Sequence, residues 1–196
     1  MFNPKDSLRH AVALVAIINL AYFGIEFTVA LNIQSVSLFA DSIDFLEDAA
    51  VNLLILVAIG WSFYKRSIVG MLLAAILLAP GIATLWVAWE KIDFPIPPDP
   101  MSLGLTALGA LMINILCAFI LARFRHHRTS IIRAAYLSAR NDAIANIAII
   151  AAGIATVVTV SVWPDVIAGL GIFVMNLDAA REVFLAARAE HAAAKV

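Results

Sequence analysis

Long apolar runs, each near the length of a bilayer crossing, follow one another along the chain with only short polar or proline-rich breaks. A hydrocarbon core of about 30 Å takes roughly 20 helical residues to cross. On that measure the runs predict six spans, at about 11–32, 36–63, 68–92, 101–123, 131–162 and 164–186. The breaks are Asn32 to Ser35, Tyr64 to Ser67, Asp93 to Pro100, Arg123 to Thr129, and Trp163-Pro164-Asp165. The stretch Pro95-Ile96-Pro97-Pro98-Asp99-Pro100 cannot be helical throughout, because each ring removes a donor and restricts the residue before it. The expected fold is therefore all-α, a polytopic membrane protein built as a six-transmembrane-helix bundle. Residues 1–10 and 187–196 are expected as short flanking segments, with no soluble domain.

Composition agrees with that pattern. Of 196 residues 63% are hydrophobic and 14% charged, with a mean hydropathy of +0.97. So little polar surface cannot keep a domain of this size dissolved, and the excess apolar area must meet lipid. A net charge of -1 lacks the basic footprint of a nucleic-acid partner. Cys117 is the single cysteine, which excludes a disulfide framework or a cysteine-based zinc module. The first run is too long for a cleaved leader, and no small-residue cleavage site follows it.

Charge also orients the spans. Of the 13 basic residues, eleven fall on one side of the six-span arrangement: Lys5, Arg9, Lys65, Arg66, Arg123, Arg125, Arg128, Arg133, Arg181, Arg188 and Lys195. Lys91 falls near the other face, and Arg140 within a span. The bias places both termini in the cytoplasm, in an inner membrane.

The anomaly is Asp41-Ser42-Ile43-Asp44-Phe45-Leu46-Glu47-Asp48, with four acids in eight residues. Such acids could cap a helix that starts after Asp48. From Ala49 to Tyr64, however, the chain is too short for a full crossing, and residues 36–48 supply the missing length. Inside the span, Asp41, Asp44 and Asp48 share a face within roughly 60°, with Glu47 at its border. Carboxylates within a membrane are costly and mark ion or proton paths.

Span five repeats the spacing with Ser138, Asp142 and Asn146, although Ala143 to Trp163 alone could cross and leave Asp142 interfacial. Depth favours the interior. At ~1.5 Å per residue, antiparallel helices bring Asp44 level with Asp142 and Asp48 level with Ser138. Three carboxylates and a hydroxyl suit a hard to intermediate divalent cation. Ligands must be ionised to hold metal while burial opposes ionisation, so metal binding should expel protons.

These residues resemble the cation diffusion facilitator family, metal–proton antiporters with six membrane helices. The likeness runs through Asn19-Leu20-Ala21-Tyr22-Phe23-Gly24-Ile25-Glu26, then Ser35-Val36-Ser37-Leu38-Phe39-Ala40-Asp41 and Asp44-Phe45-Leu46-Glu47-Asp48. It continues in Ser138-Ala139-Arg140-Asn141-Asp142, with Trp89-Glu90-Lys91-Ile92 and Trp163-Pro164-Asp165 as helix ends. It implies Asp44, Asp48 and Asp142 as metal ligands, with Ser138 in a corner where the family has histidine or an acid. Asp41, Glu47, Asn141 and Glu26 are expected around that set, orienting it or carrying protons; Asn141 or water could complete the coordination. The family's branches with this half-site handle zinc, iron or manganese, and its members export metal. Its usual cytoplasmic domain would begin about where this chain stops, so a homodimer would be held by membrane helices.

The remaining polar residues are less specific. His126 and His127 fit a basic loop, or a hand-over point for metal. Asp178 in span six, like Glu26, is either a proton relay or a structural acid. Asn19, Asn52, Asn114 and Asn176 suit hydrogen bonds between helices, and Pro80-Gly81 a bend. No nucleophile–base pair points to an enzyme, and no cofactor beyond the transported ion is implied. The alternative to a transporter is a non-transporting sensor or scaffold with a degraded site. A channel is disfavoured because converging acids hold an ion too well for rapid flux.

Overall fold

The computed structural model describes residues 4–58, 68, 82–123 and 130–193. Helix α1 spans Pro4–Ile33, α2 Val36–Ala58, α4 Pro100–Ala122, α5 Ser130–Thr159 and α6 Trp163–Ala193. Residues 82–93 form the described part of α3. No strand occurs among the described residues. The end of the second expected span, the Pro80-Gly81 bend and the His126-His127 loop lie outside them.

The molecule is apolar outside as well as inside, as a bilayer demands. Helix α4 shows the pattern most plainly. Leu103, Ala107, Ala110, Asn114, Cys117 and Leu121 are buried at alternating spacings of four and three. Met101, Leu105, Met112 and Phe119 stand exposed on the opposite face. Asp99 caps this helix by accepting from the Ser102 backbone N–H at 2.8 Å, and Pro100 occupies the first turn, where its missing donor costs nothing. Those Ser102 hydrogen bonds hold the exposed Asp99 carboxyl below the usual carboxylate range. Among the described residues, Ser7–Ile33, Pro100–Ala122 and Asn141–Thr159 are long and apolar enough to cross a membrane by themselves. Helix α2 is excluded from that set by its four acids.

Helix α2 is the centre of the bundle. It packs along α1 and touches α4, α5 and α6, while α4 packs along α5. Every residue from Ser35 to Phe45 is buried. A lipid-facing helix keeps one side exposed; this half of α2 keeps none, which is why its acids are not presented to hydrocarbon.

Its start is fixed by sequence chemistry at three levels. Helix α1 ends in a Schellman motif: Gln34 takes a left-handed φ of 53°, and the Ser35 N–H reaches the Ala30 carbonyl at 3.0 Å. Ser35 then caps α2, its Oγ accepting from the Leu38 N–H at 3.2 Å. Asp165, in the first turn of α6, closes the junction. Its carboxylate accepts from Ser35 Oγ at 2.7 Å, Ser37 Oγ at 2.6 Å, the Val36 N–H at 2.8 Å and the Ser37 N–H at 3.1 Å. Lys91 of α3, itself buried, donates to the Gln34 carbonyl at 2.6 Å. Gly169 lets α6 come this close, since a Cβ there would lie 2.7 Å from the Val36 carbonyl carbon.

Two helix ends depart from the expected spans. Helix α5 stops at Thr159, where Val160 adopts a left-handed φ of 49°. A β-branched residue is strained there, at roughly 1–2 kcal/mol. Val160→Gly is expected to stabilise the protein by about 1 kcal/mol, read as a higher unfolding temperature in detergent. Helix α6 continues to Ala193, past the expected membrane exit near residue 186.

Candidate metal site

The acids of α2 divide between two surroundings. Asp44 is buried, at 8% exposure, and its electrostatic neighbours are Asp142 of α5 together with Asp41, Glu47 and Asp48 on its own helix. Asp48, Glu47 and Asp142 are half-buried. Asp41 is completely buried and stands beside Glu26 of α1 and Asn146 of α5. The α2–α5 contact thus brings Asp44 and Asp142 near one another. Ser138 lies on α5 one turn before Asp142, and its side chain is outside the described residues. Among the described residues, no three acidic, histidine or cysteine side chains converge tightly enough to hold one ion. Binding would require the carboxylates to draw in to about 2.0–2.6 Å from the metal. Like charges resist that closure until a cation offsets them.

Two residues with no assigned place at the site prove adjacent to it. Asn19 of α1 donates from Nδ2 to Asp48 Oδ2 at 3.4 Å, and its Oδ1 accepts from the Cys117 thiol of α4 at 3.4 Å. The thiol is also an electrostatic neighbour of Asp48 and Asp142. Asn52 donates to the Asp48 backbone carbonyl at 2.7 Å, and Asn146 to that of Asp142 at 2.9 Å. Asn19 thus bonds between helices as expected, whereas Asn52, expected to do the same, donates back to its own helix four residues earlier, as Asn146 does. Outer partners of this kind hold a ligand in position, and losing one typically costs 10–100-fold in metal affinity. Asn19→Leu should therefore weaken metal binding about tenfold or more, measured by calorimetry on the purified protein.

The other expected participants differ in exposure. Asn141 occupies an exposed position on α5. Asp178, expected deep in span six, is exposed on α6, so its backbone depth did not enclose its side chain. Glu26 is completely buried.

The family model for the cation efflux transmembrane domain matches residues 12–190. The chain belongs to the cation efflux family. No curated protein matches it significantly. Family membership makes it an integral membrane protein of the metal-cation transporter kind, and the family is one of transporters, not an enzyme class. In this cation efflux domain, the region of α2 and α5 around Asp44 and Asp142 is one of the places where acids from different helices meet inside the bundle.

Proposed function

We propose that the chain exports a divalent transition-metal cation, such as zinc, iron or manganese, from the cytoplasm in exchange for protons. Access alternates around a mid-depth site made by Asp44, Asp48 and Asp142, with Ser138 in the fourth corner. The observation that carries this reading is the burial of Asp44 within electrostatic reach of Asp142 from another helix. Neighbouring carboxylates in a low-dielectric interior are tolerable only with protons or a cation between them. An all-oxygen set favours hard to intermediate metals, and protons must leave as the metal binds. Two such chains would pair through membrane helices, with both termini in the cytoplasm.

Proteoliposomes test the proposal. A metal gradient should drive opposite proton movement in the wild type, and Asp48→Ala or Asp142→Ala should abolish it. Undiminished metal flux in both variants would remove the site. Metal binding without flux under any proton gradient would favour a sensor.

A further inference from the structure

Glu26 of α1 and Asp41 of α2 stand side by side inside the bundle, both completely buried and neither in the ligand set above. No described residue donates a hydrogen bond to any of their four carboxyl oxygens. The nearby hydroxyl donors are committed elsewhere. Tyr22, one turn before Glu26, donates to the Thr106 carbonyl at 2.7 Å. Ser42, next to Asp41, donates to the Phe39 carbonyl at 2.7 Å. Asn146 gives one Nδ2 hydrogen to the Asp142 backbone carbonyl at 2.9 Å; the second is near Asp41 but too ill-placed to satisfy its carboxyl oxygens, and Oδ1 receives nothing. Tyr22 from α1 and Asp44 from α2 are the titratable neighbours. Helix α5 offers the neutral Asn146, while α4 and α6 supply the apolar Leu103 and Ile172 to the core cluster at this end of α2.

Two adjacent carboxylates without a donor are penalised twice, by repulsion and by unmet hydrogen bonding. A single proton relieves both, because a protonated carboxyl donates and an ionised one accepts. We infer that Glu26 and Asp41 form a proton-holding site, sharing one proton in the metal-free protein and releasing it when a divalent cation binds next to them. Asp41 and Asp44 are three residues apart on one helix, with Cβ atoms about 5–6 Å from each other. A cation on Asp44 therefore repels the shared proton without using either oxygen that holds it. The proton leaves to water, and the vacated pair carries one more negative charge beside the metal. This coupling rests on the proposed metal site; the shared proton does not.

The two parts are separable by experiment on the full chain in lipid. Infrared spectra of the metal-free protein at neutral pH should show the C=O stretch of a buried protonated carboxyl, shifted in deuterium oxide. Glu26→Gln and Asp41→Asn should each remove it, and both keep the fold because their amides supply the missing donor. Absence of the band in the wild type, its persistence in both variants, or its loss on adding sodium alone would overturn the shared proton. For the coupling, manganese and zinc titrations in buffers of different ionisation heat count the protons released. The wild type should release one more than Glu26→Gln, at similar metal affinity; equal release overturns the coupling. A wild type that binds no metal defeats the transport reading, while the infrared band still decides the pair.

Discussion

Asp165→Ala is expected to destabilise the bundle by about 3–5 kcal/mol, the scale of removing one partner from a buried charged cluster. The carboxylate receives four hydrogen bonds, two from the Ser35 and Ser37 hydroxyls and two from the Val36 and Ser37 backbone N–H groups. Those backbone donors are among the first of α2 and have no partner within their own helix. The negative charge also faces the positive end of the α2 dipole and lies in the first turn of α6. Alanine leaves all four donors facing an apolar gap. Asp165→Asn keeps the volume but turns an NH2 group toward donors, so its loss should be smaller and still measurable. Thermal unfolding in detergent orders the three proteins as wild type, Asn, Ala. Equal melting of the alanine variant and the wild type would show that the junction does not depend on this carboxylate.

Asp44→Ala should lower metal affinity by at least about 100-fold, beyond the cost of losing an outer partner, and abolish metal-driven proton movement. Asp44 is the buried carboxylate of the proposed set and has Asp142 of another helix as an electrostatic neighbour. Asp44→His is the informative companion. An imidazole nitrogen is softer than a carboxylate oxygen and suits zinc better than manganese. This variant should keep binding and move selectivity toward zinc, measured as the ratio of zinc to manganese affinity. A full loss with histidine, or unchanged selectivity, would place Asp44 outside the coordination sphere.

Hydropathy and breaks carried most of the fold. The start of α2 at Val36 follows from the polar Asn32–Ser35 break, and the proline stretch ends just where α4 begins at Pro100. Helix ends were less legible because they obey different physics. Thr159 ends α5 through the backbone conformation of Val160, which no hydropathy signal encodes. Residues 187–193 extend α6 because alanine, arginine and glutamate favour helix regardless of the membrane.

At the site, spacing alone could put Asp41, Asp44 and Asp48 on one face and set Asp44 level with Asp142. It could not divide that face between neighbours, with Asp41 turned to Glu26 and Asp44 to Asp142. The division depends on which helices flank α2, which is a tertiary fact. Asp165 is the clearest case. Its local pattern, Trp163-Pro164-Asp165, announces a helix start, whereas its main partners lie about 130 residues earlier in the chain.

The four hydrogen bonds on Asp165 also bear on movement. With Gly169 pressed against the Val36 backbone, they tie the first turns of α2 and α6 together. Opening of the bundle toward that end cannot pass between these two helices without breaking the cluster. The seams that α2 shares with α1 and α5 lie outside that cluster, and they carry Glu26, Asn146 and Asp142. Any sliding of α2 along those seams would therefore move the charged side chains relative to one another, so shape and charge cannot change independently there.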